Sequence, residues 1–259
     1  MSRLRVYSTR AIALRRTDFG EADRLITVLT PEHGKLRLLA KGVRRPMSRS
    51  AGHLELFAET HLMVARGRNL DIVTQASTIE AFREVREDLV ATSNAFHMGE
   101  LVDSFLEDQD PHAEVYHRFR NALAMLATHA LPVDLVVLHF ELHLLNDVGF
   151  RPQLTSCLGC GASIEPEINR YSPNLGGVYC PLCGPTQLTA APIAIDVLKL
   201  LRYLQRTPDT AAVTLRPPAG LIRDAERVLR RQLESMLERR LRAADFLKRV
   251  AEGAAGYSA

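Results

Sequence analysis

Apolar and polar positions alternate with a strand-like period through the first 80 residues. Candidate strands fall at 5–14, 24–30, 35–40, 53–65 and 70–78. Turn-forming clusters separate them: Thr17-Asp18-Phe19-Gly20, Pro31-Glu32-His33-Gly34, the stretch 42–52, and Arg66-Gly67-Arg68-Asn69. Five short strands with few helical signals predict a small barrel or sandwich. From 81 to 149 the pattern turns helical, punctuated by Pro111 and Pro132. Leu135, Leu138, Leu142 and Leu145 form one apolar stripe, with Pro132 near the first turn and Gly149 and Pro152 closing the helix. Residues 150–189 are rich in Gly, Pro, Cys and Asn and show little periodicity. A helix is expected over 190–206, with Ile193, Val197, Leu200 and Leu204 on one face. The strongest helical pattern covers 218–250, where Ile222, Ala225, Leu229, Leu233, Leu237, Leu241, Ala244 and Leu247 share a face. The tail 251–259 reads as disordered.

The fold class expected from this pattern is α+β and multidomain. A β domain spans 1–80, and helical segments at 81–150 and 190–250 flank a cysteine-bearing module at 151–189. Composition agrees with a globular protein: of 259 residues, 46% are hydrophobic and 24% charged, which excludes a disordered or fibrous chain. No uncharged apolar run approaches the roughly 18 residues of a membrane helix. Arg3 and Arg5 lead into no continuous apolar region, so no secretory signal is expected and the location expected is the cytoplasm.

Charge is uneven. Residues 1–80 carry 14 Lys/Arg against 8 Asp/Glu, residues 81–150 carry 4 against 12, and residues 221–249 carry 9 against 5. Two basic blocks flanking an acidic middle suggest separate surfaces with different partners. The stretch 35–49 holds Lys35, Arg37, Lys41, Arg44, Arg45 and Arg49 and no acid. Gly42, Pro46 and Ser48 make much of it loop-like, and a basic loop between short strands suits a phosphate backbone. Aromatic residues are scarce here (Tyr7, Phe19 and Phe57), with Tyr7 and Phe57 expected in the core. Such binding would lean on charge and weaken with salt.

The sharpest local signal is Cys157-Leu158-Gly159-Cys160 followed, after 19 residues, by Cys180-Pro181-Leu182-Cys183. Two C-x-x-C pairs at this separation read as one zinc site. Each two-residue spacer lets both thiolates of a pair point at one ion, and four sulfurs complete a tetrahedron. Four thiolates leave no open position for water, so the expected ion is structural. His139-Phe140-Glu141 upstream imitates part of a zinc-deaminase pattern. The Pro preceding the cysteine pair is missing, however, and one pair would be left idle.

Several of these segments together resemble one family. Gly20-Glu21-Ala22-Asp23-Arg24-Leu25-Ile26-Thr27-Val28-Leu29-Thr30, then Gly34-Lys35, Ala40-Lys41-Gly42-Val43-Arg44-Arg45 and Ser48, are similar to the N-terminal signature of the RecO family of bacterial recombination mediators. The helical region and the late four-cysteine module continue the resemblance over nearly the whole chain. It implies an N-terminal OB-fold, a central and C-terminal helical domain and a zinc-finger-like insertion. It also implies a non-enzymatic role in DNA repair: binding single- and double-stranded DNA, annealing complementary strands, and acting with RecR to load RecA onto DNA coated by single-strand-binding protein (SSB). Arg24, Lys35, Lys41, Arg44 and Arg45 carry over as candidate DNA contacts, while Arg37 and Arg49 rest on charge and position. Arg227, Arg230 or Arg231 would line a pocket for the SSB tail. A nucleoid-associated location follows, with neither a membrane nor a nucleotide as partner, and no G-x-x-x-x-G-K-[ST] loop is present. Two other classes compete: a zinc-containing nucleic-acid-processing enzyme, and a protein adaptor whose basic loop is incidental.

Overall fold

The structure is a computed structural model that describes residues 6–48 and 50–237. Arg49, residues 238–250 of the helix expected over 218–250, and the expected tail 251–259 lie outside the described residues. The chain forms two compact units, dividing between Thr128 and His129.

The first unit begins with five strands: β1 (Val6–Phe19), β2 (Asp23–Thr30), β3 (Gly34–Ala40), β4 (Glu59–Ala65) and β5 (Asp71–Glu80). They close as β1-β2-β3-β5-β4, the OB-like barrel the resemblance implied. Closure depends on β1, whose first half pairs with β4 and second half with β2; Ile12 faces both Glu59 and Leu29. A register shift between Ala13 and Arg15 bends the strand at this corner. Alternation fills the barrel: Leu36, Leu38 and Ala40 point in from β3, joined by Ile26 and Val28, Leu62 and Val64, and Val73, while Arg37 points out.

Two expectations for this region need correction. β1 runs on through Thr17, Asp18 and Phe19, because β2 supplies partners for all three. Residues 53–58 are not strand: a short 3-10 turn at Ala51–His53 leads into a loop, and β4 starts at Glu59. Phe57 is fully buried as expected, but in a loop and with a φ of 64°, edge-on to Phe96 and Phe119.

Helices α1 (Arg83–Glu87), α2 (Leu89–Phe105) and α3 (Ala113–Thr128) complete the unit. Asp88 caps α2 by accepting from the Ala91 N–H at 2.7 Å. The α3 helix is tied to the barrel through Glu59, which is 1% exposed. Its carboxylate accepts from the Tyr116 hydroxyl at 2.9 Å and pairs with Arg120 at 2.8 Å. A buried carboxylate held this way is strongly destabilising once its partner is lost.

The second unit contains α4 (Val133–Asp147), three short strands β6 (Asn169–Ser172), β7 (Gly177–Tyr179) and β8 (Ala191–Ile193), and helices α5 (Ile195–Arg206) and α6 (Ala219–Leu237). The three helices pack on one another. Ile222, Ala225, Leu229 and Leu233 are the buried stripe of α6, as the period predicts. The expected helix at 190 starts later, because Ala191–Ile193 pairs with β6 as the third strand of the cysteine module's sheet. His139 and His143, one turn apart on α4, both contact the Thr207 carbonyl, at 2.7 and 2.9 Å. They satisfy the end of α5, and His139 Nδ1 also meets Thr210 Oγ1 at 3.0 Å. The deaminase-like His139 is therefore a helix-end partner.

Among the described residues no helix is long and apolar enough to cross a membrane.

Candidate functional site

The basic loop is folded back onto the β1–β2 turn by specific bonds. Gly42 adopts a φ of 63°, and its N–H donates to Asp23 Oδ1 at 2.7 Å. The Arg44 N–H donates to the Ala22 carbonyl at 2.9 Å, and Val43 between them is buried in the barrel core. Asp23, the first residue of β2, thus also orders the loop.

This folding brings Arg24 and Arg44 together over one carboxylate. Arg24 Nε donates to Asp18 Oδ1 at 3.0 Å and Arg44 Nε approaches Asp18 Oδ2 at 3.4 Å. The Arg24 hydrogen bond, with Arg44 and Arg16 nearby, holds the Asp18 carboxyl below the usual carboxylate range. Lys41 and Arg45 are exposed, and among the described residues no carboxylate pairs with either. Phe19, between Asp18 and Gly20, is about half exposed, and Met47 on the loop is almost fully so.

Lys35 and Arg37 lie elsewhere and face acids. The Lys35 side chain is only 7% exposed; its ammonium pairs with Asp103 at 2.9 Å and Asp108 at 3.4 Å, and donates to the Asp103 carbonyl at 2.7 Å. Three partners take its three protons, which leaves none for a phosphate. Arg37 is exposed but sits 3.5 Å from Asp108. Part of the acidic middle block thus neutralises barrel cations within the first unit. Separate surfaces for the two charge blocks do not describe these residues. Proximity in space decides here, and spacing along the chain gave no signal of it.

In the second unit Arg227, Arg230 and Arg231 are all exposed on α6. Arg227 pairs with Asp224 one turn back. Close by, burial together with Asp134 and Glu141 pushes the Glu226 carboxyl up to about 8, against the pull of Arg230 and Arg223.

The four cysteines converge. All four sulfurs lie within 4.8 Å of one another, and the Cys160 and Cys180 sulfurs are 3.9 Å apart. A tetrahedral ion with bonds near 2.3 Å demands sulfur–sulfur edges of about 3.8 Å. The two knuckles have the same backbone turn: Gly161 N–H donates to the Cys157 carbonyl at 2.9 Å and Gly184 N–H to the Cys180 carbonyl at 2.8 Å. Gly159 permits their approach, since a Cβ there would stand 3.0 Å from the Cys183 sulfur. Burial raises the Cys157 thiol, but N–H groups including those of Cys180, Cys160 and Gly159 outweigh it and bring it down to about 6. The other three thiols push Cys183 up to about 12. Four sulfurs this close compete for one negative charge, and a dication resolves that competition. The donor set fits a soft tetrahedral metal.

The cluster is braced by α5. Arg202 donates to the Leu154 carbonyl at 2.9 Å and the Ile164 carbonyl at 3.0 Å, on either side of the first knuckle, and Gln205 to the Pro152 carbonyl at 2.9 Å. The α6 helix contributes Gln232, fully buried, which accepts from the Tyr171 hydroxyl of β6.

Comparison with known proteins matches both parts. Residues 1–82 match the family model described as Recombination protein O N terminal, and residues 86–245 match Recombination protein O C terminal. The chain is 43% identical over 246 residues to the DNA repair protein RecO of Roseiflexus sp. (strain RS-1), covering 95% of this chain and 86% of that one. It is 35% identical to the DNA repair protein RecO of Desulforudis audaxviator (strain MP104C), covering 95% and 98%, and 32% identical to that of Symbiobacterium thermophilum, covering 93% and 96%. The barrel, the helices and the cysteine cluster sit within this match, and the chain belongs to the RecO family of DNA repair proteins.

Proposed function

We propose that this protein binds DNA without sequence preference, anneals complementary single strands and, with RecR, helps load RecA onto strands coated by SSB. The observation that carries the reading is the ordered loop of exposed cations on an OB-like barrel: Lys41 and Arg45 with no acidic partner among the described residues, and Arg24 and Arg44 sharing Asp18. Arg37 extends the footprint, while Lys35 supports it from inside. Cations held at a surface lower the repulsion between two phosphate backbones, and base pairing then supplies the specificity. Phe19 adds a half-exposed ring on which a base can stack. No nucleotide hydrolysis enters this scheme.

The cysteine cluster is proposed to hold one structural zinc through Cys157, Cys160, Cys180 and Cys183. A zinc ion with four thiolates contributes folding energy and no reactive water. Arg227, Arg230 and Arg231 remain the proposed cationic contacts for the acidic SSB tail.

The test is annealing of two complementary oligonucleotides, with and without SSB, in the absence of nucleotide. Accelerated annealing of coated strands that fades with salt is the expected result. Intact strands with no acceleration and no binding would favour a protein adaptor, and strands degraded in the presence of magnesium would favour a nucleic-acid-processing enzyme.

A further inference from the structure

The end of β1 away from the basic loop borders the shortest pairing of the closed barrel. β3 and β5 pair only at Leu38–Asp71 and Leu39–Ile72. Beyond that point the β3 edge is taken by the segment after α2, where the Gln109 N–H donates to the Lys35 carbonyl at 2.9 Å. Beside these two pairings lies a cavity of about 450 Å³ whose lining includes Tyr7, His33, Arg37, Arg66, Asp71 and Asp108. That volume lies within the range of small-ligand pockets, about 300–1,000 Å³.

Tyr7, expected in the core, does pack against it, but it is only half-buried and also forms one wall of the cavity. Its hydroxyl donates to Asp71 Oδ2 at 2.9 Å, and burial together with that carboxylate raises its pKa, so the ring is a fixed, neutral phenol. Asp71 Oδ1 accepts from the Gly67 N–H at 3.0 Å, which ties the β4–β5 turn to the same carboxylate. His33 stands edge-on to the Tyr7 ring with centroids 4.7 Å apart. The Arg66 guanidinium lies 5.1 Å from the ring centroid, reaching over it from an exposed turn.

The acids around the cavity already have partners. Glu32 accepts from the Thr9 hydroxyl at 2.8 Å, Asp71 is held as above, and Asp108 faces Lys35 and Arg37. Arg66 differs: its contact is an aromatic face. A fixed ring, a long cationic side chain covering it, and room for a planar group are what a nucleobase and its phosphate require.

We propose that this cavity takes one unpaired base of a single DNA strand, stacked on Tyr7, with Arg66 moving from the ring to the adjoining phosphate. A base already paired and stacked in a duplex cannot enter. The inference rests on the DNA-binding reading and adds a contact of a different kind. Tyr7 pairs with Val64 and Phe19 with Asp23, so the stacking pocket and the basic loop mark opposite ends of β1.

The test compares binding of an oligo-dT strand and of a duplex of equal length, each across a salt series. The proteins are the parent chain, Tyr7→Leu, Tyr7→Phe, Arg66→Ala and Arg45→Ala. Tyr7→Leu should lose about tenfold in single-strand affinity. Its duplex affinity and its log–log salt slope should not change, because stacking releases no counterion. Tyr7→Phe should retain most of the affinity, and Arg66→Ala should lower the single-strand slope by about one. Equal losses on strand and duplex, or no loss on the strand, would overturn the pocket. Should Tyr7→Leu not fold, an unchanged single-strand slope in Arg66→Ala overturns it alone. Arg45→Ala separates the two claims: if it weakens binding while the Tyr7 and Arg66 variants do not, only the pocket falls. If the parent binds neither DNA, the DNA-binding reading falls with it.

Discussion

The barrel and the cysteine module are both built from short strands, yet their order comes from different sources. The barrel buries alternating aliphatic side chains from all five strands, and its register follows from that alternation. The module's sheet has strands of four, three and three residues, and its knuckles converge through sulfur. It does have buried apolar groups, Leu154 and Ile164 from its loops and Tyr171 and Val178 from its strands. Short strands can thus be fixed by a continuous core or by a point of convergence, and each arrangement should fail in its own way.

The largest expected effect breaks the module and spares the barrel. If the cluster holds zinc as proposed, removing it with a chelator, or changing Cys157→Ser, should expose 151–193 to protease while the barrel strands keep their amide protection in hydrogen exchange. Structural zinc is worth about 10–16 kcal/mol in small zinc-finger peptides, so the loss should be cooperative. Acid should act in the same direction, because protons compete with metal for thiolates. Equal protease sensitivity with and without metal would mean that the module's own apolar core suffices.

Next in size, Arg120→Ala leaves the Glu59 carboxylate buried without its ion-pair partner. Denaturant unfolding of the first unit should show a loss of about 3 kcal/mol, at the low end for buried pairs because the Arg120 side chain is 37% exposed. A loss below about 1 kcal/mol would mean that Tyr116 alone satisfies the carboxylate.

Arg45→Ala tests whether the barrel's loop is a working surface or a connector. Affinity for DNA should drop about evenly across sequences, with the log–log salt slope reduced by about one, and stability should be unchanged. An unchanged slope would remove Arg45 from the footprint.

The last test sharpens the contrast from the helical side. Glu226 holds its proton to about pH 8 in the folded chain against an ordinary value of 4.5. Between those values the folded state binds more protons than the unfolded state, so stability of the second unit should fall as pH rises from about 4.5 to about 8. Asp134 and Glu141 on α4 face this group, with Arg223 and Arg230 on its own helix. Glu226→Gln should flatten the dependence of the melting midpoint on pH across that window.

Much of this was legible in the chain itself. The cysteine spacing located the cluster because a two-residue spacer carries its geometry locally. Three of the five barrel strands emerged near their observed bounds, and the other two at one end only, because alternation is also a local signal. What the sequence concealed was long-range. Nothing near Glu59 announces that Tyr116 and Arg120 will arrive from α3. Lys35 looked like its basic neighbours, yet Asp103 and Asp108, some seventy residues on, draw it inside. β1 continued past its apolar run because β2 was there to pair with it, and Ala191–Ile193 joined a sheet whose other strands lie upstream. Tyr7 read as core because an aromatic residue in a strand usually is.

The carboxylate of Asp18 bears on turnover. It occupies the two guanidiniums of Arg24 and Arg44 in the way a phosphate would, and it never diffuses away. Where these arginines contact DNA as proposed, an arriving backbone must compete with this tethered anion, and a departing one is replaced by it at once. The arrangement keeps both side chains oriented between encounters, yet it shortens the residence of whatever they hold. In the proposed role of passing strands on, rapid exchange serves better than tight retention, and one acid at the mouth of the loop would give this surface a built-in means of letting go.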